Sequence, residues 1–246
     1  MDDTRLDDLQ CKGLKILQYK DGYCFTSDAV LLANTVKCKR GDTIVDFGCG
    51  NGVISLLLTA KTPCKKVVCI EFQPEVAELA KRNVTLNGLD GKVEIICRDI
   101  TDAADYLGKE SVEAVVCNPP YFAKSSGAQR EEKQIALSRH ESTCDLGGII
   151  KSAAAILKFA GEFFIIHKTS RMAEVITYCS QNNLIPKTLT LIYPKISKKA
   201  DTFALVCKKC GKHSLNVEKL VVYDEEGNMT QQAMKMYNKS NDCNQS

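Results

Sequence analysis

The sequence predicts an α/β fold built on one doubly wound, mostly parallel β-sheet with helices on both faces. From residue 42 onward, apolar runs rich in β-branched residues alternate with segments of helical periodicity, as in successive βαβ units. A glycine-rich loop follows the first apolar run, and an Asn-Pro-Pro-Tyr segment follows the fourth. The chain has 246 residues, 44% of them hydrophobic, so it is long enough to bury the core of one such domain.

The pattern places each element in turn. Strands are predicted at Thr43–Phe47, Lys66–Glu71, Val93–Cys97, Val112–Cys117, Glu162–His167, Thr188–Tyr193, Thr202–Lys208 and Leu220–Tyr223. Helices are predicted near residues 51–61, 74–87, 145–158 and 170–182, with a short one after Thr230. The third helix has Thr143 or Asp145 as its N-cap.

These elements form one globular domain, because no linker interrupts them. Its main part is predicted at residues 41–238, preceded by an N-terminal segment of residues 1–40. The polar tail of residues 239–246 is predicted to be disordered. We expect a monomer.

Composition narrows the class of protein. Lysine and arginine number 33 against 30 acidic residues, which neither requires nor excludes a nucleic-acid partner. The acidic N-terminus has no apolar stretch behind it, and no apolar run approaches membrane-spanning length, so we expect a cytoplasmic protein without membrane contact. Thirteen scattered cysteines, many within apolar runs, indicate free thiols in a reducing compartment.

Cys207, Cys210 and His213 lie close enough in sequence to suggest metal ligands. They can be interpreted as part of a zinc site or as residues of a plain strand-turn-strand. A second cysteine pair, which a structural zinc site usually needs, is missing nearby. We therefore expect no metal.

The first predicted strand ends in a loop with alternating glycines, Gly48, Gly50 and Gly52, preceded by Asp46. Glycine permits positive φ and close approach of the backbone to a ligand. A dinucleotide site would need the spacing GxGxxG, and an acid beside the loop repels phosphate but attracts an ammonium group. The loop, including Asn51, therefore suits a nucleoside that carries an amino acid, such as S-adenosylmethionine.

Acidic residues also end the next two strands. Glu71 is placed to accept hydrogen bonds from both hydroxyls of a ribose, and Asp99 to bind an adenine amino group. Phe72 and Ile100 would lie on the two faces of the adenine ring.

The fourth strand ends in Asn118, Pro119, Pro120 and Tyr121. An exocyclic amino group is a poor nucleophile, because its lone pair is delocalised into the ring. Acceptors on its two hydrogens, the Asn118 side-chain oxygen and the Pro119 carbonyl, would stabilise the positive charge that develops during attack. Tyr121 offers a face for stacking a planar substrate. We predict Asn118, Pro119 and Tyr121 as catalytic residues, and Asn118 also as a cofactor contact.

These motifs resemble those of class I amino-methyltransferases acting on adenine, cytosine or glutamine nitrogen. More narrowly, residues 21–32, 45–52, 116–122 and 139–141 resemble the bacterial tRNA1(Val) adenine-N6-methyltransferase family. The likeness covers roughly residues 9–237. It implies a Rossmann-like class I methyltransferase fold with a seven-stranded sheet, S-adenosylmethionine as cofactor, and methylation of the adenosine 3′ of the anticodon in tRNA-Val.

The resemblance also implies that Phe25, Thr26 and Asp28 form a lid beside the methionine end of the cofactor, in an N-terminal lid or substrate segment. The chain departs from the family pattern at Phe47, where leucine is usual. It departs again where an arginine- and proline-rich stretch is replaced by Lys168, Thr169 and Ser170.

A tRNA substrate needs cations and further contacts around the flipped base. The candidates are Pro120, Phe122, Arg130, Lys133, Arg139, His140, Lys195, Lys198 and Lys199, with a further basic group at Lys208, Lys209 and Lys212. A lysine pair can equally be solvated surface, and His140 a packed helix residue.

Three other functions compete with this one. A protein-glutamine N5-methyltransferase of release factors faces the same chemical problem, but such enzymes carry a longer N-terminal domain than the roughly 40 residues that precede the first strand here. A methyltransferase acting on another base in rRNA or DNA is a second alternative. A module that binds the cofactor or tRNA without catalysis is a third, disfavoured by the intact Asn118, Pro119 and Tyr121.

Overall fold

The computed structural model describes residues 4–20, 26–119 and 145–237. A hairpin of β1 (Thr4–Asp8) and β2 (Lys15–Tyr19) precedes the main sheet. The main sheet consists of β3 (Thr43–Phe47), β4 (Lys66–Glu71), β5 (Val93–Cys97), β6 (Val112–Cys117), β7 (Leu157–Lys168), β8 (Leu184–Lys195), β9 (Thr202–Lys209) and β10 (Asn216–Tyr223). The helices are α1 (Ser27–Thr35), α2 (Val53–Lys61), α3 (Pro74–Leu86), α4 (Ala103–Leu107), α5 (Leu146–Ile156), α6 (Met172–Gln181) and α7 (Gln231–Tyr237).

The main sheet has the strand order β10-β8-β9-β7-β6-β3-β4-β5. Neighbouring strands are parallel except at β9, which is antiparallel to both β7 and β8. The chain leaves β3 toward β4 and later returns to β6 on the other side of β3. Such a reversal opens a crevice at the carboxyl ends of the strands, where open α/β sheets bind their ligands. We call this edge of the sheet the carboxyl edge.

Side chains alternate between two cores, one on each face of the sheet. Ile44 and Val116 belong to the core covered by α1, α2, α3 and α7. Val45 and Val115 belong to the core covered by α4, α5 and α6. Because both faces are covered, the central strands are apolar throughout, which is why they were recognisable in the sequence.

The predicted fold class is confirmed, and the bounds of β3, β4, β5 and β6 agree with the prediction. The main sheet has eight strands, in keeping with the eight predicted from the pattern, so the seven-stranded sheet that the resemblance implies is wrong. The additional edge strand is β10, which pairs in parallel with β8 from Asn216 opposite Thr188. Its first four residues are exposed and carry no apolar alternation, so only Leu220–Tyr223 was predicted.

The strand β8 (Leu184–Lys195) is also longer than the predicted Thr188–Tyr193. It begins before Pro186, a residue that usually marks the end of a strand. Proline cannot donate to a ladder, and the pairing with β9 shifts register between Pro186 and Thr188. The hairpin and α1 were not predicted at all. The residues of β1 are mostly polar, so no alternation marks that strand, although Ile16 of β2 is fully buried.

Residues 4–20 and 26–40 share a core with the main part of the chain, since Ile16 and Leu32 pack in the cluster that contains Ile44. The boundaries at residues 40 and 238 stay predictions. The predicted tail of residues 239–246 and the alternative cap Thr143 lie outside the described residues.

Within the described ranges, no helix has the length and apolar character needed to cross a membrane.

The ten cysteines in the described part of the chain are all free. Seven of them are buried, as the predicted use of cysteine as a small core residue requires. Cys207 is one of these: it packs inside the sheet-helix core, while Cys210 is exposed at the end of β9. The side chains of this pair therefore lie in different environments, and no group of three or more His, Cys, Asp or Glu suited to a metal occurs in the ranges that the structure covers.

Candidate active site

The glycine loop joins β3 to α2 at the carboxyl edge. The φ angles of Gly48, Gly50 and Gly52 are 66°, 57° and 88°, in the left-handed region that residues with a Cβ rarely adopt. The backbone amides of Gly48 and Cys49 both donate to the Ile70 carbonyl, at 2.9 and 3.1 Å. The loop therefore turns across the end of β4, and its conformation explains why glycine alternates in the sequence.

Asp46 lies under this loop, where it is fully buried. The hydroxyl of Ser55 in α2 donates to its Oδ2 at 2.7 Å, and the thiol of Cys69 donates to the same hydroxyl at 2.9 Å. Among the described residues, Oδ1 has no hydrogen-bond partner. Burial raises the pKa of Asp46 to about 7, against the lowering effect of Ser55.

Glu71 ends β4 and is almost completely buried. Its Oε2 accepts from the amide of Gly50 at 3.0 Å, and its Oε1 accepts from the amide of Gln73 at 2.9 Å. Burial raises the pKa of Glu71, while these amide donors lower it. The amide of Phe72 is a third donor that lowers this pKa, and a carboxylate has about four acceptor sites, so Glu71 keeps room for a ribose hydroxyl.

Phe72 and Ile100 have the properties expected of an adenine pocket. Phe72 follows Glu71 directly and is 42% exposed, which is unusual for a phenylalanine. A Cβ built on Gly48 would lie 4.0 Å from Cδ1 of Ile100, so this side chain borders the glycine loop. Both side chains therefore lie next to elements of the predicted cofactor site.

The segment that carries Asp99 and Ile100 is fixed at two carbonyls. Tyr106 donates to the Asp99 carbonyl at 2.9 Å, and Ser152 of α5 donates to the Ile100 carbonyl at 2.5 Å. The Oδ1 atom of Asp99 accepts from the amide and the hydroxyl of Thr101, so Oδ2 is the oxygen that can receive an adenine amino group.

Asn118 and Pro119 follow β6 at the carboxyl edge. The register pairs Cys117 with Phe47, so Asn118 comes level with Gly48 on the neighbouring strand. Asn118 is half-buried and Pro119 is buried. The structure thus brings the predicted acceptors next to the predicted cofactor loop. Pro120, Tyr121, Phe122, Arg130, Lys133, Arg139 and His140 lie outside the described residues.

Thr26 and Asp28 are at the start of α1, and Phe25 is outside the described residues. Near the end of α1, Oδ1 of Asn34 accepts from Nζ of Lys61, which ends α2, at 3.0 Å. The helices α1 and α2 therefore run in the same direction, and Thr26 lies on the side of the sheet where the glycine loop begins α2.

Lys195, Lys198 and Lys199 lie at the end of β8 and in the following loop. The strand β8 is parallel in direction to β7 and β6, so this loop is at the carboxyl edge, about 14 Å from β6 at three strand spacings. Lys198 and Lys199 are exposed, and the loop is held by Glu225, which accepts from the amide and hydroxyl of Ser197 at 3.1 and 2.9 Å.

The second basic group was placed wrongly. The strand β9 runs antiparallel, with Lys208 opposite Glu162, which itself pairs with Ala114 near the start of β6, so Lys208 and Lys209 are at the edge of the sheet opposite the glycine loop. Lys209 is engaged there, donating to the Leu157 carbonyl at 2.6 Å. Nothing in the sequence near Lys208 indicates that β9 runs against its neighbours.

Several supporting residues were missed, among them Ser55, Tyr106, Ser152 and Asn83. Asn83 is fully buried in α3 and donates to the Asn51 carbonyl of the glycine loop at 2.9 Å. Asn87 follows it by one helical turn. An asparagine inside a helix, as Asn83 is, is unfavourable for the helix itself, so Asn83 was a usable signal for a buried polar contact, whereas Asn87 is the C-cap of α3.

Comparison with solved structures gives this fold a class. A predicted O-methyltransferase from Agrobacterium tumefaciens superposes with a TM-score of 0.71 at 23% identity, covering 87% of this chain and 96% of the other. A geranyl diphosphate methyltransferase in complex with S-adenosylmethionine gives 0.54 at 15%, covering 74% and 84%. At these identities the likeness shows the fold, which is that of class I methyltransferases. More narrowly, the family described as methyltransferase small domain matches residues 26–182, and the chain belongs to this family.

Several relatives are named tRNA1(Val) (adenine(37)-N6)-methyltransferase, among them the following two. The one from Porphyromonas gingivalis is 30% identical over 148 residues, which is 59% of this chain and 57% of that protein. The chain therefore spans little more than half of this relative. The one from Vibrio campbellii is 23% identical over 226 residues, 89% of this chain and 91% of that protein. The predicted resemblance and the predicted methyltransferase class are confirmed.

Proposed function

We propose that this protein transfers a methyl group from S-adenosylmethionine to N6 of an adenine in tRNA, at the adenosine 3′ of the anticodon of tRNA-Val. The observation that carries the proposal is the β3–β6 pairing, which ends with Phe47 opposite Cys117, so that Gly48 and Asn118 leave neighbouring strands at the same level. It puts acceptors for an amino group beside the loop that suits the methyl donor. The relatives from Porphyromonas gingivalis and Vibrio campbellii bear the name of this activity.

The chemistry rests on few groups. When bound, S-adenosylmethionine supplies an electrophilic methyl group. The Asn118 side-chain oxygen and the Pro119 carbonyl accept the two hydrogens of the substrate amino group, which favours the pyramidal nitrogen and stabilises its developing positive charge. Pro119 has no N–H, so its peptide offers only an acceptor to the crevice. No strong base is required, because the proton is acidic once the nitrogen is methylated.

The cofactor contacts follow from the same geometry. Glu71 receives the ribose hydroxyls, Asp99 the adenine amino group, and Phe72 and Ile100 the faces of the ring. Thr26 and Asp28 contribute from the start of α1. The glycine loop, with Asp46 beneath it, receives the amino-acid end.

A nucleic-acid substrate is supported by charge at the same edge. Lys198 and Lys199 are exposed within about 14 Å of β6, a distance that the phosphates flanking a flipped base can span. The neighbouring acid Glu225, which follows β10, accepts from Ser197 and forms no ion pair with these lysines among the described residues. We propose this loop as the phosphate contact.

The test incubates the purified chain with S-adenosylmethionine and an unmodified tRNA-Val transcript, followed by digestion and mass spectrometry of the nucleosides. We expect N6-methyladenosine, and none from a matched transcript in which guanosine replaces the adenosine 3′ of the anticodon. Asn118→Ala should lower turnover by about a hundredfold or more while S-adenosylhomocysteine still binds.

Methylation of both transcripts would place the target elsewhere in the tRNA. Methylation of a release factor, rRNA or DNA in place of tRNA would overturn the substrate and support one of the alternative methyltransferases. Full activity of Asn118→Ala would overturn the catalytic assignment.

A further inference from the structure

The N-terminal hairpin docks on α3 through side chains that take the place of a strand. Asn83 Oδ1 accepts from the Leu17 amide at 2.6 Å, and its Nδ2 donates to the Leu17 carbonyl at 3.0 Å. Asn87 does the same with Lys15, at 2.8 and 2.7 Å. The outer edge of β2 is thereby satisfied by two amides instead of a neighbouring strand.

The spacing explains why this docking is specific. Residues two apart in a strand are about 6.7 Å apart and present their N–H and C=O groups to the same side. Residues four apart in a helix are about 6 Å apart on one face. The pair Asn83 and Asn87 therefore matches the pair Leu17 and Lys15, and neither amide can be moved along the helix without losing its partner.

Only Asn83 extends this contact to the glycine loop. Its Nδ2 also donates to the Asn51 carbonyl at 2.9 Å, between Gly50 and Gly52, while Glu71 accepts from the amide of Gly50 at 3.0 Å. The loop is thus held from two sides. The second hydrogen of the Asn87 amide goes instead to the Asn83 carbonyl within α3, at 2.7 Å.

The hairpin also reaches the loop directly. Gln18 is 2% exposed, and its Oε1 accepts from the side chain of Asn51 at 3.4 Å. Asn51 is therefore engaged through its carbonyl by α3 and through its side chain by β2. The glycines on either side of Asn51 have positive φ and leave the backbone few restraints of its own, so these contacts fix the orientation of the Asn51 peptide.

We propose that Asn83 is a positioning residue for the methyl donor, and that the hairpin is part of the cofactor site: Asn83 couples β2 to the Asn51 peptide and keeps the glycine loop in its binding conformation. The proposal rests on the methyl donor and not on the nucleic-acid substrate. It can therefore stand or fall independently of the tRNA assignment.

The test compares Asn83→Ala with Asn87→Ala in the full chain. Both variants remove two hydrogen bonds to the backbone of β2, but only the first removes the contact with the loop. Titration calorimetry with S-adenosylhomocysteine should show a dissociation constant about tenfold higher for Asn83→Ala and within about twofold of the original for Asn87→Ala. Thermal unfolding of both variants measures the loss of docking that they share.

Gln18→Met keeps the test decisive if Asn83→Ala does not fold. It removes the hairpin's link to the Asn51 side chain and leaves the hydrogen bonds between α3 and β2 in place. We expect a dissociation constant about threefold higher. Equal affinities of Asn83→Ala and Asn87→Ala, or an unchanged affinity of Gln18→Met where Asn83→Ala is unfolded, would overturn the proposal and leave the asparagines a purely structural role.

Discussion

Asp46 shows how one buried residue makes the protein sensitive to pH. Its pKa is raised to about 7 by burial, so the folded state binds a proton that the unfolded chain releases near pH 4. Between these values the folded state holds more protons, and the free energy of unfolding falls as pH rises. His167, whose pKa burial lowers to about 4, acts in the opposite direction up to its unfolded value near 6.5.

Asp46→Asn isolates the contribution of this carboxyl, because His167 is present in both proteins. Relative to the original chain, the melting temperature of Asp46→Asn should rise by on the order of 5 °C between pH 5 and 7.5, and then stay level. The measurement is thermal unfolding across this pH range at constant ionic strength. Parallel curves for the two proteins would show that Asp46 is ionised throughout.

At the scale of elements, the segment between β5 and α4 depends on α5. Ser152 of α5 donates to the carbonyl of Ile100, the residue that borders the glycine loop, and so fixes one wall of the predicted adenine pocket. Ser152→Ala should raise the dissociation constant of S-adenosylhomocysteine about fivefold, in line with the loss of one buried hydrogen bond.

Ser111→Ala is the matched control for Ser152→Ala. The Ser111 hydroxyl also donates to a backbone carbonyl, that of Gly108 at 2.9 Å, but in the turn before β6 and therefore at the edge opposite the site. The affinity of Ser111→Ala for S-adenosylhomocysteine should therefore equal that of the original protein. Equal effects of the two variants would show that the segment is held by its other contacts.

At the scale of the whole molecule, the direction of β9 separates two pairs of lysines. Lys198 and Lys199 lie at the carboxyl edge, whereas Lys208 and Lys212 lie at or beyond the far end of β9. If the first pair contacts phosphates, Lys198→Ala with Lys199→Ala should weaken tRNA binding and reduce the slope of its salt dependence by about 1.5.

The control is the double variant Lys208→Ala with Lys212→Ala, which removes the same number of positive charges from the opposite edge of the sheet. Fluorescence anisotropy between about 50 and 200 mM salt measures the tRNA affinity of both double variants. The affinity of the second variant should stay close to that of the original protein. Equal losses for the two double variants would mean that net charge, and not the position of the loop, determines binding.

The sequence by itself determined the elements of the central sheet and the motifs at their ends. The strands β3 to β6 are buried on both faces, so the apolar runs in the sequence predict where each strand begins and ends. The glycines of the loop likewise predict a backbone with positive φ. These signals are local: each is written in a few consecutive residues.

Only the tertiary structure decided which of these motifs meet. The pairing of β6 with β3 brings Asn118 level with Gly48 across about 70 residues of chain, and the antiparallel course of β9 takes Lys208 away from them. The hairpin was missed because its edge is satisfied by Asn83 and Asn87, and no pattern within β2 reveals a partner in a distant helix. Propensity and periodicity act along the chain, whereas pairing, burial and charge act between segments that only folding brings together.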